Sequence, residues 1–120
     1  MLNWIPLTSV HEVEALKNRS HEIPCLIFKH SNRCNVSAIA KYRLEDDWSF
    51  ESTQIEAYFL DLLQFKSTSH FVADTFQVFH ESPQVLLILN GQCVYDASHL
   101  DISVEELKES LASVEQNSVS

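Results

Sequence analysis

Apolar runs separated by amphipathic stretches set the pattern of this chain. Residues 23–28 are almost continuously apolar, which is typical of a strand covered on both faces. Residues 55–60 predict another strand, and residues 85–89 a third. The dipeptide Asn90-Gly91 joins this third run to a further apolar segment. Because Asn-Gly between apolar runs is the strongest short-range hairpin signal, the pattern predicts an antiparallel strand pair here.

The amphipathic stretches predict four helices. Ser9 and Ser103 each begin a capping box, with a glutamate at the matching position and apolar residues at helical spacing behind it. A further helix is predicted over about 34–44, and another from Ser67. With a short edge strand at residues 4–7, the order is β-α-β-α-β-α-β-β-α. Strand–helix–strand connections imply parallel pairing, and the hairpin adds an antiparallel edge.

Length, composition and charge narrow the class of protein. The 120 residues suffice for one domain with its own core, and we expect a single domain over 1–115 and a frayed tail over 116–120. A net charge of −9 argues against nucleic acid and anionic membranes, since phosphate binding needs clustered Lys and Arg. Neither a membrane span nor a signal peptide is present in the pattern. We therefore predict a cytoplasmic protein.

The cysteines suggest thiol chemistry rather than a metal centre. There are three, an odd number, and their spacing matches no zinc motif, so no metal site is predicted. Cys25 and Cys93 lie inside apolar runs and are interpreted as packing thiols. Cys34 instead lies where a buried strand turns into a helix. In a reducing compartment such a cysteine stays free for exchange.

The position of Cys34 favours a reactive thiolate. A helix N-terminus offers unpaired N–H groups and partial positive charge, and both stabilise the thiolate, which is the nucleophile. The spacing Cys34-x-x-Ser37 is that of the redox motif with its second thiol replaced by a hydroxyl. Two roles for Ser37 remain open. It either donates a hydrogen bond to the thiolate or caps the backbone of the first helical turn.

The element order, with a cysteine opening the second helix and Pro83 just before the fourth strand, resembles the thioredoxin fold. Three separated segments carry a more specific likeness: Phe28-Lys29-His30-Ser31 with Arg33-Cys34 and Val36-Ser37, then His80-Glu81-Ser82-Pro83-Gln84, and finally Asn90-Gly91 with Ala97-Ser98-His99. They resemble the monothiol bacilliredoxins, bacterial thioredoxin-like proteins of the bacillithiol system. The likeness runs from about residue 4 to residue 107. Where the family usually has proline after its cysteine, this chain has Asn35.

The resemblance implies an α/β protein with a thioredoxin-like fold, a central mixed sheet and helices on both faces. It also implies an oxidoreductase whose co-substrate is bacillithiol, with no bound cofactor. Cys34 would attack a mixed disulfide between bacillithiol and a client protein, retain bacillithiol and release the client. Because Ser37 replaces a resolving cysteine, a second free thiol must regenerate Cys34. The partners would be S-thiolated proteins and a low-molecular-weight thiol.

Further site residues follow from the same resemblance. Pro83 would form a cis peptide bond and face the cysteine, and Ser82 would offer backbone groups to a substrate strand. Arg33 and Lys29 are candidates for raising the thiolate content or binding the malate carboxylates of bacillithiol, with solvated surface charge as the alternative. His30 flanks the site, either as a substrate contact or as a loop histidine without a chemical role.

Two other functions remain open at this point. A monothiol glutaredoxin would use glutathione or a bridging iron–sulfur cluster, although cluster-binding glutaredoxins typically have Gly-Phe where this chain has Asn35-Val36. A redox-idle thioredoxin-fold module would instead bind partner proteins at Ser82-Pro83. The sequence does not decide the oligomeric state or the client proteins.

Overall fold

The computed structural model describes the backbone of residues 1–119 and the side chains of residues 1–115. The strands are β1 (Trp4–Pro6), β2 (Cys25–His30), β3 (Glu56–Asp61), β4 (Gln84–Leu89) and β5 (Gln92–Ser98). The helices are α1 (Val10–Arg19), α2 (Asn35–Asp47), α3 (Lys66–Phe76) and α4 (Val104–Val119), with a 3₁₀ turn at His99–Asp101. The predicted element order is confirmed. The expected frayed tail, 116–120, lies outside the residues whose side chains are described.

The five strands form one mixed sheet in the order β1-β3-β2-β4-β5. β1 pairs with β3 and β3 with β2 in parallel, whereas β4 pairs antiparallel with β2, and β5 antiparallel with β4. The parallel pairing expected after every helix is thus wrong for β4. Its first residue, Gln84, lies opposite Lys29 near the end of β2. α3 ends at Phe76, and Gln77 after it adopts the left-handed conformation. Residues 77–83 then bring the chain back to the end of the sheet at which β2 finishes, so β4 starts where β2 ends.

Helices cover both faces of the sheet, and β2 is buried along its whole length. Alternate side chains of a strand point to opposite faces, so Cys25 and Ile27 pack with α1 and α3, while Leu26 and Phe28 pack with α2 and α4. Each fully buried large aliphatic side chain contributes roughly 1.5–3 kcal/mol of transfer free energy. β2 is therefore a rigid support for the loop that follows it. Among the described residues, no helix combines the length and hydrophobicity needed to cross a membrane.

The local sequence signals correspond to observed contacts. Ser9 and Ser103 each accept a hydrogen bond from the backbone three residues later, at 3.1 and 3.2 Å. In a capping box the Glu12 carboxylate would accept from the N–H of Ser9. Here it accepts from the N–H and hydroxyl of Thr8, one residue earlier. Asn90 and Gly91 adopt φ values of 52° and 78°, as a primed two-residue turn requires. The predicted hairpin is confirmed.

Candidate active site

The loop between β2 and α2 places Cys34 at the N-cap of α2. Its backbone is extended, with φ −115° and ψ 118°, and its N–H donates to the Ser31 carbonyl at 3.2 Å. Its own carbonyl accepts from Ala38 N–H at 3.1 Å, which starts the helix. The helix begins at Asn35, one residue later than predicted. The thiol therefore stands at the positive end of the helix dipole, beside N–H groups that have no partner within the helix.

The surroundings of Cys34 differ from those of the other two thiols. Cys34 is half-buried, and the first turn of α2 carries no acidic side chain that would compete for the helix terminus. Burial raises the pKa of the Cys25 thiol to about 12 and that of Cys93 to about 11. Cys25 is buried and Cys93 is half-buried against the core, and their sulfurs donate to the backbone carbonyls of Ile23 and Tyr95. Among the three free cysteines, Cys34 is the one held at a helix terminus.

Ser37 is fully buried and ties the loop to β2. Its Oγ accepts a hydrogen bond from Ser31 N–H at 3.1 Å and lies 2.7 Å from His30 Nδ1. A hydroxyl has one proton and two lone pairs, so these two partners occupy most of its bonding capacity. These contacts match neither role considered for Ser37, a bond to the Cys34 thiolate or a cap of the first helical turn; the hydroxyl instead ties the Cys34 loop to the end of β2.

His30 lies beneath the loop rather than on its surface. It is 8% exposed, and its ring packs against Phe28 and Phe59 with centroids 5.7 and 5.2 Å away. Burial lowers the pKa of His30 below its ordinary value, and the charge of Lys41 acts in the same direction. The imidazole is therefore neutral at neutral pH, bonded to Ser37. This position suits support of the loop better than contact with a substrate.

The segment before β4 lies at the end of the sheet where β2 finishes and the Cys34 loop begins. The peptide bond between Ser82 and Pro83 is cis, and Pro83 is buried. Because Lys29 pairs with Gln84, Pro83 lies beside the end of β2, from which the loop to Cys34 departs. The Pro83 carbonyl accepts from His99 N–H at 3.0 Å. The Ser82 hydroxyl is buried without a hydrogen-bond partner among the described residues.

The two predicted cations lie in different places. Arg33 is exposed on the loop next to Cys34, where its guanidinium can meet a dissolved anion. Lys29 is fully buried on the α3 face of the sheet. Its ammonium donates to the Ser69 carbonyl at 3.2 Å and lies 3.2 Å from His80 Nδ1. Direct contact with a substrate carboxylate requires exposure, which Lys29 lacks.

Sequence reasoning missed the pairings of Ser37 with His30 and of Lys29 with His80 and Ser69. The alternation along β2 contained a signal for the second, because Lys29 shares its face with Cys25 and Ile27. Within residues 1–115, no three His, Cys, Asp or Glu side chains lie close enough together to hold a metal ion. The site that the structure brings together thus consists of a thiol, a buried histidine–serine pair and a proline loop.

Solved structures with this architecture include several thioredoxin-fold proteins. A candidate oxidoreductase with a thioredoxin fold is 29% identical, with a TM-score of 0.74 over 88% of this chain and 91% of its own. Thioredoxin (Mala s 13) of Malassezia sympodialis superposes with a TM-score of 0.73 at 10% identity, covering 94% and 91%. Thioredoxin of Trypanosoma brucei brucei gives 0.72 at 11% identity, covering 95% and 92%. The fold is that of thioredoxin, as predicted.

The sequence also matches a family model, described as monothiol bacilliredoxin BrxC, over residues 5–107. Together with the thioredoxin fold, this match supports a role in thiol redox chemistry. The matched residues include β2, the Cys34 loop, Pro83 and the hairpin, and they make up most of the chain. The protein therefore belongs to the monothiol bacilliredoxin BrxC family.

Proposed function

We propose that this protein removes bacillithiol, or a similar low-molecular-weight thiol, from protein mixed disulfides by monothiol exchange at Cys34. The observation that carries the proposal is the contrast between the cysteines. Cys34 caps a helix that lacks acidic residues in its first turn, whereas burial raises the pKa values of Cys25 and Cys93. Because the thiolate is the reactive form, the chemistry belongs to Cys34.

In the first step, the Cys34 thiolate attacks the bacillithiol sulfur of the mixed disulfide. A bond forms between Cys34 Sγ and that sulfur, the original disulfide bond breaks, and the client cysteine leaves as a thiolate. The client is thereby reduced and bacillithiol is carried on Cys34. The N-terminus of α2 stabilises negative charge on Cys34 before attack and again when it later leaves.

The second step needs a separate thiol. At position 37 a hydroxyl stands in place of a resolving thiol, and it is engaged with Ser31 and His30. A free thiolate from solution must therefore attack the Cys34–bacillithiol disulfide. That attack forms a new disulfide between the two small thiols and returns Cys34 as a thiolate, so electrons and protons balance over the cycle.

Substrate recognition is assigned to the two segments beside Cys34. The backbone at Ser82-Pro83 is proposed to pair with an extended stretch of the client, and exposed Arg33 to attract the malate carboxylates of bacillithiol. Lys29 is excluded from direct contact by its burial. The three free cysteines suit a reducing, cytoplasmic setting, which remains part of the proposal.

The test is intact-mass spectrometry with a bacillithiol-modified client protein. The wild-type protein should gain the mass of one bacillithiol, retain it until free thiol is added, and release reduced client. Cys34→Ser should abolish this transfer, because a hydroxyl is a far poorer nucleophile than a thiolate at neutral pH. Cys25→Ser and Cys93→Ser are the matched controls and should leave the transfer intact.

Ser37→Cys gives the sharpest second test. It restores the dithiol spacing, so this variant should form an internal disulfide and expel bacillithiol without a second thiol. Transfer that persists in Cys34→Ser would assign the chemistry to another cysteine. A wild-type protein that takes glutathione from a client in preference to bacillithiol would favour the glutaredoxin-like alternative.

A further inference from the structure

A fully buried ammonium lies on the face of the sheet opposite the Cys34 loop. Lys29 Nζ donates to the Ser69 carbonyl of α3 and lies 3.2 Å from His80 Nδ1, in the segment between α3 and β4. An ammonium has no lone pair, so His80 Nδ1 must be the acceptor and the imidazole proton must be on Nε2. The single cation thus joins three elements: β2, α3 and the segment 77–83.

A second buried polar side chain holds the same segment. Gln84 is 1% exposed and is the cross-strand partner of Lys29. Its amide nitrogen donates to the Phe79 carbonyl at 2.9 Å, and its amide oxygen accepts from Glu81 N–H at 3.4 Å. Lys29 therefore bonds to the side chain of His80, and Gln84 bonds to the backbone of Phe79 and Glu81. We refer to these two residues as the polar clamp.

The segment needs such partners because it lies outside the helices and strands. Residues 79–81 are exposed, so burial does not order them, and the hydrogen bonds from Lys29 and Gln84 are the contacts that fix their path. The clamped residues run directly into Ser82 and the cis bond to Pro83. An apolar residue in place of Lys29 would avoid the cost of burying a charge but would leave His80 Nδ1 with only the Ser69 hydroxyl, 3.4 Å away.

We propose that Lys29 is a positioning residue, whose ammonium holds His80 and thereby presents the Ser82-Pro83 loop to substrates of Cys34. The predicted effect of Lys29 on client transfer rests on the exchange reaction proposed above. The predicted ordering of residues 79–82 by Lys29 is independent of that reaction. Lys29 itself touches neither the thiol nor the substrate.

The clamp has a defined dependence on pH. Burial lowers the pKa of His80 below its ordinary value of 6.5, as do the charges of Lys29 and of His70 on α3, whose ring is 6.2 Å away. Glu81, in the same segment, opposes this shift, and Asp74 of α3 lines the cavity that His80 borders. As the pH falls through the pKa of His80, Nδ1 gains a proton and can no longer accept from the ammonium. The segment should then be released.

The experiment compares Lys29→Met with Lys66→Met, which removes an exposed lysine from the start of α3. Amide hydrogen exchange should become at least about 10-fold faster at Glu81, whose N–H donates to Gln84, in Lys29→Met and stay unchanged in Lys66→Met. Transfer from a bacillithiol-modified client should slow by about 10-fold in Lys29→Met, since small misplacements of a binding loop are costly. Alkylation of Cys34 by iodoacetamide, which needs no loop, should keep its wild-type rate.

Two further variants separate positioning from simple loss of structure. His80→Asn supplies an acceptor that does not titrate, so the loss of Glu81 N–H protection expected in the wild type as the pH falls through the pKa of His80, measured relative to the intrinsic exchange rate, should disappear. Lys29→Arg keeps a cationic donor and should recover part of the client transfer lost in Lys29→Met. Wild-type protection of the Glu81 amide in Lys29→Met, or an unchanged acid response in His80→Asn, would overturn the proposal. Failure of wild-type transfer would instead overturn the proposed function and leave the exchange measurement valid.

Discussion

The last two residues of β2 enter two very different polar environments. On the α2 face, His30 is neutral and pairs with the Ser37 hydroxyl at 2.7 Å. On the α3 face, Lys29 carries a charge and is held by a carbonyl and an imidazole, each at 3.2 Å. Both side chains are buried. One side uses uncharged groups to fix a loop, and the other uses a cation whose partners are neutral groups.

The difference in charge between the two environments suggests that the two faces have different roles. The neutral pair fixes the loop that carries Cys34 without placing a full charge next to the thiol. The charged group, on the α3 face, fixes the segment that leads into Pro83. Geometry at both loops is thus set by one strand, while sensitivity to pH is concentrated on the α3 side.

The largest expected contrast is between cysteines on the two faces. Near neutral pH, iodoacetamide should label Cys34 at least about 100-fold faster than Cys25 or Cys93, because burial suppresses their thiolate forms. Peptide mapping after timed labelling would measure the three rates. Fast labelling of Cys25 in the folded protein would show that the α3 face is open and would break the comparison.

A smaller effect is expected from the charge on Lys29. Burial lowers its pKa from 10.5 to about 8, so between these values the unfolded chain binds more protons than the folded one. The Lys29 contribution to stability should therefore rise with pH over this window, by on the order of 3 kcal/mol. Urea unfolding of wild type and Lys29→Met at several pH values would separate the contribution of Lys29 from those of the thiols and tyrosines, which also titrate in this range. Parallel curves for the two proteins would contradict a buried charge.

The neutral side is tested by Ser37→Ala. This change leaves Ser31 N–H and His30 Nδ1 without their partner, which should cost about 2 kcal/mol of unfolding free energy. Ser67→Ala, at an exposed position of α3, is the control and should be nearly neutral. Transfer by Cys34 should slow modestly in Ser37→Ala. A transfer rate that falls as far as in Cys34→Ser would instead give Ser37 a direct part in the chemistry.

The smallest effect is expected far from both environments. Gly91 has φ 78°, and a Cβ there would lie 3.3 Å from His21 Nε2, so Gly91→Ala should destabilise by about 1 kcal/mol. The turn lies at the opposite end of β2 from Cys34, since Ile88 pairs with Cys25. Cys34 labelling should therefore be unchanged. Altered labelling in this variant would mean that the two ends of the sheet are coupled.

Local signals in the sequence were sufficient to predict the helices and strands but not the direction of every strand in the sheet. The serine caps at Ser9 and Ser103 and the Asn-Gly turn depend on neighbouring residues, so these features were predictable. The antiparallel direction of β4 was not. It depends on the path of residues 77–83 after α3, and no short-range pattern encodes that path.

The site shows the same limit. Cys34 at the start of a helix could be predicted, because a strand, a short loop and a helix follow each other in sequence. The partners of Lys29 could not, because they come from α3 and the segment after it, with Ser69 lying 40 positions away. For Ser37, the sequence left two roles open, and its contacts with His30 and Ser31 show a third, which depends on how the loop folds back onto β2.

The alternation along β2 also bears on which length changes the family can tolerate. Deleting or adding one residue between Cys25 and His30 would send the lysine toward α2 and the histidine toward α3, because each side chain would change faces. Both residues would lose the partners that they have now, Ser37 for His30 and Ser69 and His80 for Lys29. Evolution can therefore vary the exposed turn at residues 51–54 in length far more freely than this strand. Among distant relatives, gaps should accumulate in that turn, while β2 should keep a constant number of residues up to the cysteine.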